Sequence, residues 1–137
     1  MKQFGLIGKH LSHSFSPSFF ADFFLKQGID AHYTAYELQE ISDFPQFMKD
    51  QVFGGLNVTI PYKTSIIPYL DELDPLAAEI QAVNVIAFDN GRTKGYNTDV
   101  YGFQQSIKPF LTFHHERALI FGTGGASKAV AYVFKSL

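Results

Sequence analysis

The sequence predicts an α/β fold: a mixed sheet flanked by helices, followed by the first strand, turn and helix of a second unit. Three observations predict it. Short apolar runs bounded by glycine alternate with segments of helical periodicity, an Asn-Gly pair signals a hairpin, and a glycine-rich segment joins a late apolar run to an apolar helix. The 137 residues, 46% hydrophobic and 18% charged, have the length and apolar content of a domain with a packed core.

The elements follow in order. Phe4–Gly8 reads as a buried first strand, and Pro17 takes the first position of a helix with Ser16 as its N-cap. Phe19, Phe20, Phe23 and Phe24 recur at helical spacing as core residues, and Gly28 is the stop. Residues 32–38 alternate as a second strand, and Ile41–Met48 read as a second helix with Phe44, Phe47 and Met48 on one side. Gly54–Thr59 make a third strand, after which Pro61 opens a helix that Pro68 disturbs. Asp74 caps a turn beginning at Pro75, and Ala82–Phe88 form a fourth strand with Asn84 in its middle. Asp89-Asn90-Gly91 turns the chain into a fifth strand near Tyr96, and Asp99 caps a helix that Pro109 ends. Phe110–Arg117 connect to a buried strand, Ala118–Phe121, and then to a helix ending at Leu137. The expected division is therefore 1–109 and 110–137. A single strand and helix cannot cover both their faces, so the chain reads as the N-terminal part of a longer protein.

Composition narrows the function. Eleven Lys and Arg against 13 Asp and Glu give a net charge of −2 with no runs of one sign. That pattern argues against a nucleic-acid binder or a polybasic membrane-surface protein. The absence of cysteine removes disulfides, thiolate metal sites and cysteine nucleophiles. His10, His13, His32, His114 and His115 show no metal-ligand spacing with acids, so no metal is expected, and they read as loop or surface residues. No apolar stretch approaches the roughly 18 residues of a membrane span, and the N-terminus lacks the order of a signal peptide. A soluble cytoplasmic protein is the expectation.

Five segments carry chemistry. Gly122-Thr123-Gly124-Gly125-Ala126-Ser127 lies between strand and helix, where backbone N–H groups and the helix N-terminus can receive a dinucleotide pyrophosphate. The usual third glycine, at 127, is Ser here, and a glycine-rich turn without a ligand is the alternative. Ser14 and Ser16 can seat a carboxylate or phosphate beside a helix N-terminus, or Ser16 merely caps and Ser14 is solvated. Asn57 and Thr59 place two polar groups on one face of a strand that would otherwise prefer apolar ones. Lys63, a turn into the next helix, can reach over that strand end, or is a surface lysine. Asn84, flanked by valines, needs partners in a ligand or a neighbouring loop, and Asn97-Thr98-Asp99 ends a strand.

Together these segments resemble the shikimate dehydrogenase family. The carrying residues are Ser12-His13-Ser14-Phe15-Ser16-Pro17, Asn57-Val58-Thr59-Ile60-Pro61-Tyr62-Lys63, Ala82-Val83-Asn84, Gly95-Tyr96-Asn97-Thr98-Asp99 and Gly122–Ser127. They stand in the family's order along nearly the whole chain. The resemblance implies a substrate-binding domain over 1–109 and the beginning of a Rossmann-like, NADP-binding domain over 110–137. It implies reduction of 3-dehydroshikimate to shikimate in aromatic amino-acid biosynthesis. By motif, Ser14 and Ser16 would hold the substrate carboxylate. Thr59, Lys63, Asn84 and Asp99 would hold the ring hydroxyls and the reacting carbonyl. Gly122, Gly124, Gly125, Ala126 and Ser127 would begin the NADP site. The chain departs from the family pattern at Gln81 and Val100, commonly Gly, at Val85, commonly Thr, and at Lys128, often Arg.

The expected chemistry is hydride delivery to carbon with a proton from Lys63 to the oxygen, and Asp99 as its polar partner. The positive end of the helix expected after Pro61 would lie beside Lys63. Without most of the cofactor domain, these residues alone are expected to be inactive. The alternatives are a dehydrogenase that prefers quinate and a non-catalytic module that binds a hydroxy acid. The partner implied is a small molecule, with neither nucleic acid nor membrane, and a homodimer is compatible with the resemblance.

Overall fold

The computed structural model describes residues Met1–Leu137. Strand β1 (Lys2–Gly8) is followed by helix α1 (Ser16–Gln27), strand β2 (Ala31–Glu37), the short helix α2 (Phe44–Met48) and strand β3 (Gly55–Val58). Strand β4 (Glu72–Leu73), helix α3 (Pro75–Ile80), strands β5 (Val85–Asp89) and β6 (Arg92–Tyr96), and helices α4 (Asp99–Ile107) and α5 (Gly125–Ser136) complete the chain. The six strands form one mixed sheet in the order β2-β1-β3-β5-β6-β4. β1 runs parallel to β2 and β3, whereas β5 is antiparallel to β3 and β6. No helix is long and apolar enough to cross a membrane.

Strand alternation divides the core. On one face Ile7, Leu56, Val58 and Ile86 pack with Phe44, Phe53, Tyr62 and Ile66. On the other, Leu6 and Tyr33 meet Leu11 and Phe24 beneath α1. Each side chain this deeply buried stabilises the fold by about 1.5–3 kcal/mol relative to exposure. Of the phenylalanine-rich helix only one stripe is core. Phe24 is buried and Phe20 stacks on Tyr33 at 4.5 Å, while Phe19 and Phe23 are 46% and 40% exposed. A helix lying on a sheet covers it with one stripe, and Phe19 and Phe23 belong to the next.

The Asn-Gly hairpin forms as expected: Asp89 pairs with Arg92, and Asn90 and Gly91 both take positive φ, 49° and 78°. Asp74 caps α3, accepting from Leu76 N at 3.1 Å, and Gly28 ends α1 in the left-handed conformation.

Five expectations are corrected. Residues after Pro61 form successive turns, with Tyr62 N bonded to Thr59 O, Ile66 N to Tyr62 O and Ile67 N to Thr64 O, and only Ile67–Tyr69 is a 3₁₀ turn. Buried Tyr62 and Ile66 are pulled into the core, and Pro68 lies inside that last turn. Asn84 stands one residue before β5, because its backbone bonds to Val58 and Tyr96 close the sheet end there. Ser16 is the first residue of α1 and caps nothing, its position being preceded by Phe15. Asp99 is likewise the first residue of α4. Val100 N donates to Asn97 Oδ1 at 3.1 Å, so Asn97 does the capping. Ala118–Phe121 form no strand, and Leu119 and Phe121 are 79% and 90% exposed. A strand requires a ladder partner, and none of β1–β6 lies beside this segment.

Helix α5 packs against α3, α4 and the segment before β5. Ala129 and Val133 are buried against Ile80, Ala82 and Val100, and Phe134 meets Phe103 edge-on at 5.5 Å. Val100, where the family pattern has glycine, thus fills the seam between α4 and α5. Gln81 ends α3 at φ 56°, ψ 44°, a left-handed conformation that suits glycine, and its amide bonds Ala78 O at 2.6 Å. Gln81→Gly is therefore expected to raise stability by up to about 1 kcal/mol, read as a higher urea midpoint at unchanged m-value. A lowered midpoint would show that the Gln81 side-chain bond outweighs the backbone strain.

Candidate functional site

The sheet register brings distant residues to one end. Leu6, Asn57, Val85 and Tyr96 form a row across β1, β3, β5 and β6. Immediately beyond that row lie the turn after β3 with Thr59 and Lys63, Asn84 before β5, and Asn97–Asp99 after β6. Ser14, in the loop after β1, and Ser16, which opens α1, face the same cavity as Thr59. Ligands of open α/β sheets bind outside the carboxyl ends of parallel strands, and this is that end for β1 and β3.

Lys63 Nζ lies 2.6 Å from Asp99 Oδ2, with the two side chains 14% and 31% exposed. The other carboxylate oxygen, Oδ1, accepts from Asn84 Nδ2 at 3.0 Å. Asn84 also donates to Thr98 Oγ1 at 2.8 Å and accepts from Thr98 N at 2.8 Å. Both amide hydrogens of Asn84 thus meet partners in the loop after β6, beside the Lys63–Asp99 pair. Because Asn97 supplies the cap of α4, the Asp99 carboxylate is left free for Lys63. A lysine ammonium has three donors, so with one on Asp99 two remain for an oxygen placed beside it. No helix follows Pro61, and the helix-dipole field expected there is absent. The charge facing Lys63 is that of Asp99.

Ser14, Ser16 and Thr59 line a cavity of about 650 Å³ together with Lys9, His10 and His13. Lys63, Asn84 and Asp99 do not line it; they form the adjoining cluster, joined to it through β3. Val58 N donates to Asn84 O at 2.9 Å, and Asn57 Nδ2 reaches the same carbonyl at 3.4 Å. Asn57 Oδ1 accepts from Tyr33 Oη at 2.8 Å. Burial pushes the Tyr33 phenol up to about 12, opposed in part by the nearby Ser16 hydroxyl. The phenol therefore stays protonated as a donor at neutral pH. A polar seam thus runs from Tyr33 through Asn57 and Asn84 to Asp99 and Lys63.

Sequence reasoning missed Tyr33, whose strand position marks it only as a core residue, and the bond of Thr98 to Asn84. It also read His10 and His13 as loop or surface residues. They are exposed and in a loop, yet they line the cavity. Their place within three residues of Ser14 or Ser12 was the available signal.

In the glycine turn, Gly122 has φ 130°, and neither Gly122 nor Gly124 has any atom within 4 Å of where a Cβ would stand. The free N–H groups of the first turn of α5 point out of a 12-residue helix beside that open turn. Ser127 Oγ bonds Gly124 O at 2.7 Å, and Ala126 is exposed. This donor set suits a phosphate-bearing cofactor.

Comparison with known proteins bears on the family and the fold. Residues 6–86 match the model of the shikimate dehydrogenase substrate binding domain. A shikimate dehydrogenase (NADP(+)) of Syntrophomonas wolfei is 45% identical over 135 residues, covering 97% of this chain and 47% of that protein. The crystal structure of shikimate dehydrogenase 1 from Peptoclostridium difficile superposes with a TM-score of 0.92 at 39% identity, covering 99% of this chain and 52% of that one. The Thermus thermophilus enzyme in complex with NADP(H) and shikimate gives a TM-score of 0.87 at 33% identity, covering 99% and 52%. The chain spans about half the length of the curated relatives it matches.

Proposed function

The chain belongs to the shikimate dehydrogenase family, and from that premise we propose that it forms the substrate-binding part of an NADP-dependent enzyme that reduces 3-dehydroshikimate to shikimate. The observation that carries this reading is the fixed Lys63–Asp99–Asn84 cluster beside the cavity of Ser14, Ser16 and Thr59.

The substrate is a hydroxylated ring with a carboxylate at one end and the reacting carbonyl elsewhere on it. Ser14 and Ser16 take the carboxylate, with the Lys9 side chain on the same cavity wall. Thr59 takes a ring hydroxyl. The remaining donors of Lys63 receive the carbonyl oxygen, and Asp99 accepts from the neighbouring hydroxyl. When bound at the turn of Gly122, Gly124, Gly125, Ala126 and Ser127, NADPH supplies the hydride. As negative charge builds on the substrate oxygen, the Lys63 ammonium stabilises it and passes it a proton. Asp99 keeps the ammonium in place throughout, and Asn84 keeps Asp99 in place. Asn84 does so through its bond to Oδ1, at the edge of the site where a ring hydroxyl would lie.

A panel of substrates tests the reading. A dehydrogenase built of this segment and the second half of the Syntrophomonas wolfei relative is expected to oxidise shikimate with NADP, and residues 1–137 alone are expected not to. Turnover by the 137 residues alone, or preference of the longer chain for quinate over shikimate, would contradict it.

A further inference from the structure

Gly125 opens α5, and its backbone lies directly on the stem of Lys63. A Cβ at position 125 would stand 2.5 Å from Lys63 Cβ, a distance that packed carbons do not reach, and 3.3 Å from its Cδ. The contact is particular to this glycine, since Gly122 and Gly124 in the same turn face open space. The surrounding backbone is tied together as well. Val83 N donates to Lys63 O at 2.7 Å, and Thr64 Oγ1 donates to Gln81 O at 3.2 Å. The same Gln81 carbonyl accepts from Lys128 Nζ, one turn into α5, at 3.3 Å. At the far end of the lysine stem, Asp99 belongs to α4, on which α5 is packed through Val100, Ala129 and Val133.

We propose that Gly125 is a positioning residue for Lys63. Its missing side chain lets the head of α5 brace the lysine stem, and that brace holds the ammonium on Asp99. The glycine turn and the proton-donating lysine are then one mechanical unit, so that a ligand seated on the turn presses on the group that faces the substrate. The importance of this contact rests on the role given to Lys63 above; the contact itself does not.

The test is made on the 137-residue chain carrying isotope-labelled lysine. An ammonium held by Asp99 exchanges slowly with water, and its Lys63 resonance is expected to be visible. In Gly125→Ala that resonance is lost, and Lys63 becomes as reactive toward an amine-acylating reagent as exposed Lys49. In Gly124→Ala, which alters the same turn without touching Lys63, the resonance stays and the lysine remains protected. A resonance retained in Gly125→Ala, or lost equally in both variants, overturns the proposal. If Gly125→Ala does not fold, the unsubstituted chain decides: a nuclear Overhauser contact between Gly125 Hα and Lys63 Hβ supports the brace, and its absence overturns it. None of these signals requires a substrate. A chain that binds no shikimate but loses the Lys63 resonance only in Gly125→Ala would sink the functional reading and leave the brace standing.

Discussion

Lys63→Ala is expected to lower turnover of the complete dehydrogenase by at least about a hundredfold while leaving the KM for shikimate within a few-fold of its parent value. The asymmetry follows from the geometry. The carboxylate and the ring hydroxyls have other partners in Ser14, Ser16, Thr59 and Asp99, so the lysine contributes little to holding the substrate. Its contribution grows as charge develops on the reacting oxygen, and a group that acts mainly in the transition state changes kcat rather than KM. Its placement is costly to reproduce, since the ammonium is mostly buried and fixed on Asp99 at 2.6 Å. Near-normal turnover in this variant would refute the assignment, and a KM rise with unchanged kcat would make Lys63 a binding residue.

The second large effect is expected from Asn84→Ala, which combines instability with lost activity. The substitution removes three hydrogen bonds and leaves Thr98 N, Thr98 Oγ1 and Asp99 Oδ1 without their partner at a position only 9% exposed. Orphaned groups of this kind cost about 1–3 kcal/mol each, and water entering the vacated space recovers part of it. A net loss of about 2–4 kcal/mol in urea unfolding is expected. The same change frees Asp99 to turn away from Lys63, so turnover should fall well beyond what partial unfolding explains. Asn84→Asp, which keeps the shape but sets a second carboxylate against Asp99, should be worse for activity than for stability at neutral pH. An Asn84→Ala chain with parental stability and turnover would mean that the seam beside the lysine is incidental.

Much of this was legible in the residues. The apolar run Phe4–Gly8, the alternation of residues 32–38, the Asn90-Gly91 turn and the Asp74-Pro75 start all express local preferences that the fold does not override. What local preference did not reveal is where tertiary packing decides. Pro61 looks like a helix start, but Tyr62 and Ile66 are drawn inward, with the Tyr62 hydroxyl on Leu38 O, and the segment remains a set of turns. Ala118–Phe121 has the composition of a buried strand, yet a strand is defined by its neighbours and has none here. The cap of α4 passes from Asp99 to Asn97, a two-residue exchange that propensity cannot order and that frees the carboxylate for Lys63.

The site residues themselves stood out because they are polar where a sheet end would be apolar: Asn57 and Thr59 on one strand, Asn84 between valines. Tyr33 did not stand out. Its hydroxyl matters only because Asn57 is within reach, and that proximity is a product of β1 lying between β2 and β3. The exposed stripe of Phe19 and Phe23 was equally hidden, since spacing marks an apolar helix without saying which stripe meets the sheet.

The claim that serines, threonine, lysine and aspartate converge on one ring is tested most directly by mapping shikimate on the labelled 137-residue chain. The backbone signals of Ser14, Ser16, Thr59 and Asp99, with the Lys63 ammonium, should move together along one saturation curve. Shifts confined to residues elsewhere, such as the groove of Phe44, Phe53 and Phe88, or two groups of signals saturating at different concentrations, would contradict a single shared pocket.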